Sequence, residues 1–168
     1  MNDINKQLDE AYSLAADRKD YAAALSACDA IIQAHPELIA PLRKKAQIHA
    51  HQADFRQAID EISSVIEKGP AEPRDYFFRG WWNLEDNNVD DAIEDLTAAI
   101  QLGEQLSDDY FTESAFFFRS LTHLRLGRYD EALEDSQNVR DDFLMYIRSG
   151  QVSKAQVVRE ATSKKALQ

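Results

Sequence analysis

The sequence holds few residues of the kinds that build disulfide frameworks, loop-rich folds or membrane spans. Cysteine occurs once, at Cys28, so an internal disulfide and a cysteine-based zinc site are excluded. Glycine and proline number only 5 and 4, a scarcity typical of mostly helical proteins. No apolar run approaches the roughly 18 residues of a membrane-spanning helix, and the N-terminus lacks the apolar segment of a signal peptide. We therefore expect a helical protein of the cytoplasm with no membrane partner.

Positive charge is also scarce. Lys and Arg total 19 against 30 Asp and Glu, which leaves a net charge of −11. Such a chain is a poor binder of nucleic acid, because phosphate contacts need clustered cations. Hydrophobic residues nevertheless make up 44% of the 168 residues, which is enough for a core. The length predicts a single domain over residues 1–168.

Motifs that carry catalytic or metal chemistry are missing. The chain contains no glycine-rich phosphate loop, no Gly-x-Ser-x-Gly and no His-Glu-x-x-His. The segment 86–97 begins like a calcium loop, but Asp91 replaces its glycine and Thr97 its bidentate glutamate. The four histidines have no metal-ligand partner at a useful spacing. We therefore predict no metal, no cofactor and no enzyme activity.

A bulky residue followed three positions later by alanine recurs four times along the chain. The four pairs are Tyr21 with Ala24, Phe55 with Ala58, Val89 with Ala92, and Tyr129 with Ala132. The alanines lie 34, 34 and 40 residues apart, and a period of about 34 is that of a helix–turn–helix repeat. A small residue at this position lets two helices approach closely. Pro36 and Pro70 would end the second helix of the first two repeats.

This pattern resembles the tetratricopeptide repeat family, most closely in the third and fourth repeats. There the family's characteristic positions are held by Tyr76, Gly80, Ala92, Leu96 and Ala99, and by Phe116, Ser120, Gly127, Tyr129 and Ala132. The resemblance covers about residues 5–144. It implies an all-α fold, a right-handed α-solenoid of about four helix–turn–helix repeats at about 5–37, 38–71, 72–105 and 110–145. A capping helix at about 151–166 would cover the apolar face of the last repeat.

The same alignment predicts where the helices lie. Helix pairs are expected at about 3–17 with 21–34, 38–51 with 55–68, 73–86 with 89–102, and 110–126 with 130–147. The six extra residues before the fourth repeat lengthen a helix or a loop there. Cys28 falls at a core-facing position of the first repeat, so we expect a buried thiol rather than a nucleophile.

In this family the first helices of successive repeats line a concave groove that holds a ligand. The resemblance implies a non-catalytic protein–protein interaction module, which binds a peptide or helix of a partner protein in a partly aromatic groove. Matching the family's ligand positions residue by residue gives Arg43, Gln47, Arg74, Phe77, Trp81, Leu84, Phe117, Leu121 and Arg125. Aromatic anchors would supply most of the affinity, and the arginines would orient a polar or acidic ligand. The alternative is that the C-terminal segment around 143–147 covers these aromatics as ordinary core.

Two further functions fit the charge and surface pattern. No Lys or Arg lies between Arg79 and Arg119, and so acidic a surface fits an inhibitor or immunity-type protein that masks a basic partner. The small residues between Ala22 and Ala27 give the first repeat a smooth outer face, as expected of a self-associating structural protein and a possible homodimer. The last eighteen residues are basic, and their charge would hold the capping helix on the acidic body.

Overall fold

The structure, a computed structural model, describes residues 2–167. The chain divides between Ala71 and Glu72 into two compact bodies, the N-terminal lobe and the C-terminal lobe. Within the described residues, the N-terminal lobe consists of α1 (Asn2–Ala16), α2 (Tyr21–Ala34), α3 (Ala40–His51) and α4 (Phe55–Lys68). The C-terminal lobe consists of α5 (Pro73–Glu85), α6 (Val89–Leu106), α7 (Asp109–Arg125), α8 (Tyr129–Ser136), β1 (Leu144–Ile147), β2 (Gly150–Ser153) and α9 (Lys154–Lys165).

The helices pack in consecutive pairs along the chain. Helix α1 packs with α2, α3 with α4, α5 with α6, and α7 with α8. This arrangement confirms the predicted all-α helical repeat. Helices α2 and α4 end at Ala34 and Lys68, each two residues before a proline, as the prolines predicted. The expected single domain over residues 1–168 stays a prediction.

Each pair is joined by the same tight turn. One turn residue has a left-handed backbone, with φ between 56° and 73°, at Lys19, Ala53, Asn87 and Gly127. In the first two repeats the next residue is an aspartate that caps the second helix. The Asp20 carboxylate accepts from the backbone N–H of Ala23 at 3.1 Å, and the Asp54 carboxylate accepts from that of Gln57 at 3.3 Å. Local sequence therefore fixes where the second helices begin.

Replacing Ala53 by glycine is expected to raise the free energy of unfolding by about 0.5–1 kcal/mol. Ala53 has φ 59°, a conformation that costs a residue with a Cβ about 1–2 kcal/mol and glycine very little. Part of that gain is offset because glycine makes the unfolded chain more flexible. Urea denaturation followed by circular dichroism measures the difference.

The matched control is Ala30→Gly, at an exposed position inside α2. Glycine in a helix interior should lower the free energy of unfolding by about 1 kcal/mol. If both substitutions lower it equally, the left-handed turn at Ala53 does not constrain the chain in this way.

Small residues bring helices α5 and α6 close together. A Cβ added at Gly80 would meet Cγ of Leu96 at 2.8 Å and the carbonyl oxygen of Ala92 at 3.2 Å, so a larger side chain would push the helices apart. In the fourth repeat Ser120 takes this place, and its Oγ donates to the carbonyl of Ala132 at 2.7 Å. The extra residues before that repeat lengthen α6, which runs to Leu106 instead of the predicted 102.

A cation on the first helix of a repeat pairs with a carboxylate sixteen residues later on the second helix. The pairs are Lys45 with Glu61 at 3.0 Å, Arg79 with Asp95 at 2.7 Å, and Arg119 with Asp135 at 2.7 Å. Both arginine pairs are forked, since Nε and Nη2 each donate to the carboxylate. These pairs were not predicted from the sequence. The signal was a cation and an acid sixteen positions apart, recurring with the repeat.

The predicted second helix of the fourth repeat, at 130–147, is wrong in its second half. Helix α8 ends at Ser136 instead of continuing to 147, and the antiparallel strands β1 and β2 form a hairpin over residues 144–153. Exposure alternates along β1, because Ile147 is buried whereas Leu144 and Tyr146 are exposed. This period of two suits a half-buried strand. Gly150 has φ 122°, which only glycine adopts freely, and it starts β2 after the turn.

The predicted capping helix at 151–166 is α9, which begins later because 150–153 belong to β2. Ser153 and Gln156 form a capping box. The Ser153 Oγ accepts from the backbone N–H of Gln156 at 3.3 Å, and the Gln156 Oε1 accepts from that of Ser153 at 2.7 Å. Near its other end Lys165 pairs with Asp130 of α8. Opposite charge thus joins the basic helix to the acidic repeat, in the way expected.

Candidate functional site

The first helices of the repeats carry the nine residues predicted to bind a ligand. In the N-terminal lobe, Arg43 and Gln47 lie one turn apart on α3, and both are half-buried. In the C-terminal lobe the buried residues are Phe77, Leu84, Phe117 and Leu121, the half-buried ones Arg74 and Trp81, and the exposed one Arg125. Fewer of the predicted residues are therefore accessible to a ligand in this lobe than the sequence led us to expect.

Helices α5 and α7 lie side by side in the C-terminal lobe. The Arg125 Nη1 donates to the carbonyl of Leu84 at 3.2 Å, and the Trp81 ring lies 5.1 Å from that of Phe118. Leu84 and Arg125 were predicted from different repeats. Their contact places binding positions of the third and fourth repeats on one surface.

Phe77 lies at the centre of an aromatic cluster. Its ring centroid is 5.3 Å from that of Phe78, 5.6 Å from that of Phe111 and 5.4 Å from that of Phe118. Its side chain is only 2% exposed. Rings at such separations attract each other beyond their area burial, so Phe77 holds α5 against α7. A ligand would meet this cluster at Trp81, which is half-buried.

The β-hairpin lies on the α7 part of the predicted groove. The Phe143 ring lies 4.9 Å from that of Phe117, and Ile147 is buried. The backbone N–H of Arg148, at the turn of the hairpin, donates to the Glu85 Oε1 of α5 at 3.4 Å. The C-terminal segment therefore covers Phe117 through Phe143, whereas Leu144 and Tyr146, which the alternative interpretation also expected to pack there, are exposed.

A cavity of about 330 Å³ remains beside the hairpin, between α7, the two strands and α9. Buried side chains of Leu121, Leu124, Ile147 and Val157 contribute its apolar lining. Arg125 and Lys164 add two cations, of which Lys164 pairs with Glu160 at 2.6 Å. The cavity thus combines an apolar lining with the exposed guanidinium of Arg125.

Residues 43–109 match the family model of the tetratricopeptide repeat. The match shows tetratricopeptide repeat sequence over this stretch, which is less than half of the chain. The matched stretch runs from α3 to the start of α7 and includes the whole third repeat. It thus contains the α5 positions of the predicted groove.

Several solved structures share the fold. A structure of MamA protein has a TM-score of 0.76 at 19% identity, covering 99% of this chain and 85% of that one. A tetratricopeptide repeat protein from Parabacteroides merdae ATCC 43184 has a TM-score of 0.75 at 14% identity, covering 99% and 62%. YrrB, described as a tetratricopeptide repeat protein with an unusual peptide-binding site, has a TM-score of 0.67 at 15% identity, covering 93% and 73%. These likenesses establish the fold alone. No curated protein matches the chain.

Chemistry-bearing side chains outside the predicted groove include His123 and many Asp and Glu residues. Among residues 2–167, no group of three or more His, Cys, Asp or Glu side chains is placed to hold a metal ion. Burial lowers the pKa of His123 more than the nearby Asp135 carboxylate raises it. In the same range, none of the helices is both long and apolar enough to cross a membrane.

Cys28 is a buried thiol, as the repeat pattern predicted. Burial, and secondarily the negative charge of Asp29, raise the pKa of the Cys28 thiol to about 11. A thiol of this kind is a poor nucleophile, because the thiolate is the reactive form.

Native protein is therefore expected to react with iodoacetamide at pH 8 at least ~100-fold more slowly than urea-unfolded protein. About 0.1% of the Cys28 thiol is ionised at pH 8 when its pKa is about 11, and burial also blocks access. Mass spectrometry of timed samples measures the rate. Equal rates in the native and unfolded states would contradict the burial of Cys28.

Proposed function

We propose that this chain is a non-catalytic module for protein–protein interaction, which binds a peptide or helix of a partner protein on the first helices of its repeats. The contact between Leu84 and Arg125 carries this proposal, because a continuous binding surface needs neighbouring repeats side by side. The tetratricopeptide repeat match over residues 43–109 supports the same class of function. The net charge of −11 favours a protein partner over nucleic acid.

In the C-terminal lobe the proposed contacts come from accessible side chains. Trp81 supplies the aromatic anchor, since large half-buried aromatics contribute much of the affinity of interfaces. Arg74 and Arg125 orient a polar or acidic group. The buried rings of Phe77 and Phe117 give the surface its shape without touching the ligand. In the N-terminal lobe Arg43 and Gln47 hold the corresponding positions on α3.

A capture experiment with matched variants tests the proposal. Wild-type protein, a Trp81→Ala/Arg125→Ala variant and a Tyr110→Ala variant are immobilised, and partners from the native lysate are identified by mass spectrometry. Tyr110 is the control, because it is a 63% exposed aromatic on α7 outside the predicted positions. We expect a partner that wild type and Tyr110→Ala retain and the double variant loses. A partner that all three retain equally would contradict groove binding.

An acidic surface supports a second candidate function, in which this protein masks a basic partner. Helix α6 exposes Asp90, Asp91 and Glu94 in its first two turns, and carboxylates of one sign accelerate encounters with a cationic protein. Association with a captured basic partner should then slow at least ~10-fold between low and high salt. An association rate independent of salt would exclude this mode.

A further inference from the structure

The β-hairpin lies against part of the binding surface proposed above, beside Leu121 and at Glu85, and it belongs to the same chain. Its tip reaches both helices of that surface, since Ile147 is buried beside Leu121 of α7 and the Arg148 N–H bonds to Glu85 of α5. We propose that the hairpin is a displaceable internal ligand. In its place the surface accepts an extended segment of a partner protein, with a large apolar residue followed by an acidic one. This inference rests on the proposed function and names its ligand.

The way the hairpin is attached allows it to leave while α9 stays. The strands have four residues each and pair only with one another in the described sheet, and isolated two-stranded hairpins are marginally stable. Leu144 and Tyr146 are 45% and 70% exposed, so half of β1 adds little burial. Helix α9 is held separately, through buried Val157 and Ala161 and through the pair of Lys165 with Asp130.

Hydrogen bonds at the base of the hairpin would limit how far the chain opens. The backbone N–H of Lys154 donates to the carbonyl of Phe143 at 3.0 Å, and the Lys154 Nζ binds both the Val139 carbonyl at 2.6 Å and Asp141 at 2.7 Å. These bonds lie outside the two strands. The hairpin over 144–153 is therefore the part that opens.

The contacts of the hairpin define the chemistry of the partner segment. Glu85 accepts the backbone N–H of Arg148 at the hairpin turn, a bond that any residue except proline can supply. The cavity of about 330 Å³ beside Ile147 has room for a larger apolar side chain. Arg125 lines that cavity together with the Glu160–Lys164 pair. Beyond its bond to the Leu84 carbonyl, its guanidinium has further donors that a carboxylate would pair with. A large apolar residue and a neighbouring acid would thus gain contacts that Ile147 and Arg148 do not make.

The experiment supplies the hairpin as a separate peptide. The probe is a fluorescein-labelled peptide of residues 144–153, and the receptors are full-length wild type, Ile147→Asp and Gly150→Val. Ile147→Asp places a charge in the apolar contact. Gly150→Val strains the turn, where φ is 122° and the space around the glycine is open, without touching the groove. Hydrogen exchange of the hairpin amides reports its opening in each protein.

Fluorescence anisotropy should show at least ~10-fold tighter binding of the probe to Ile147→Asp than to wild type. The reason is that the native hairpin competes at the millimolar effective concentration of a tethered ligand. Gly150→Val should fall between the two. A probe that itself carries Ile147→Asp should not bind.

A second probe, carrying Ile147→Phe and Arg148→Glu, tests the partner chemistry. It should bind Ile147→Asp receptor at least ~3-fold more tightly than the first probe. That gain should disappear when the receptor also carries Arg125→Gln and persist with Arg128→Gln, an exposed arginine outside the cavity. A gain that survives Arg125→Gln would overturn the assignment of the acid to Arg125.

Three results would overturn the internal-ligand proposal. The first is that the first probe binds all three receptors with equal affinity. The second is that it does not bind a variant whose hairpin amides exchange rapidly. The third is that the hairpin amides stay protected from exchange in both variants. If Ile147→Asp does not fold, the affinity of the first probe for Gly150→Val is compared with its affinity for wild type instead. Capture of a Trp81-dependent partner together with any of these results would leave the proposed function standing and reject this inference alone.

Discussion

Replacing Phe77 by alanine is expected to lower the free energy of unfolding by about 3–5 kcal/mol, the usual cost of removing a buried phenylalanine. Phe77 is 2% exposed, and its ring lies within 6 Å of those of Phe78, Phe111 and Phe118. Removing it leaves a cavity between α5 and α7 and separates three rings from their common neighbour. Urea denaturation followed by circular dichroism, with Trp81 and Trp82 fluorescence as a local probe, measures the loss.

Tyr110→Ala is the matched control for Phe77→Ala. Tyr110 is 63% exposed, and its ring meets that of Phe111 edge to face, so its removal should cost about 1 kcal/mol or less. Equal stability of the two variants would mean that Phe77 is not packed as described. Phe77→Ala is also the wrong variant for a binding test, because lost stability and lost binding could not be separated.

Replacing Asp135 by alanine is expected to destabilise the fourth repeat by about 3–5 kcal/mol, because breaking a buried ion pair leaves one charge without compensation. The side chains of Arg119 and Asp135 are 19% and 7% exposed. Two hydrogen bonds join them, at 2.9 Å from Nε and 2.7 Å from Nη2. After the substitution Arg119 keeps the Thr97 hydroxyl at 2.9 Å, which carries no charge. Thermal and urea denaturation of the purified variant measure the cost.

Glu134→Ala on the same helix is the control, since Glu134 is exposed and its removal should change stability by about 0.5 kcal/mol or less. The double variant Arg119→Met/Asp135→Leu should recover part of the loss, because both charges are removed together. If Asp135→Ala costs no more than Glu134→Ala, the pair contributes nothing to the repeat.

Most of the helical repeat was predictable because its signals are local. The recurring alanines place the second helices, and Asp20 and Asp54 cap them one residue after the left-handed turn. The proline positions set the ends of α2 and α4. Each of these signals acts within a few residues, so the predicted bounds of α1 to α5 agree with the structure within two residues.

The hairpin was not predictable in the same way. Residues 130–147 were expected to continue the second helix of the fourth repeat because the preceding repeats do so. The residues on either side of β1 instead make contacts far away in sequence, the Arg148 N–H with Glu85 and Phe143 with Phe117. A two-residue alternation over four residues is too short a signal to outweigh a repeat.

The candidate site was likewise predictable only in part. The ligand positions of the family that the sequence resembles predicted Leu84 and Arg125 as binding residues, and the structure brings them into contact. Which aligned side chains face outwards depends on what packs over them, and for Phe117 and Leu121 that is the hairpin and its surroundings.

By itself the sequence predicted the all-α helical repeat, the bounds of α1 to α5 and the burial of Cys28. These features follow from short-range rules, in which small residues, left-handed turns and capping carboxylates act on their own neighbours. Only the tertiary structure decided that α8 stops at Ser136, that Phe77 belongs to the core and that a hairpin covers α7. Burial is a property of the whole fold, because the apolar area that a side chain loses to solvent is set by residues distant in sequence.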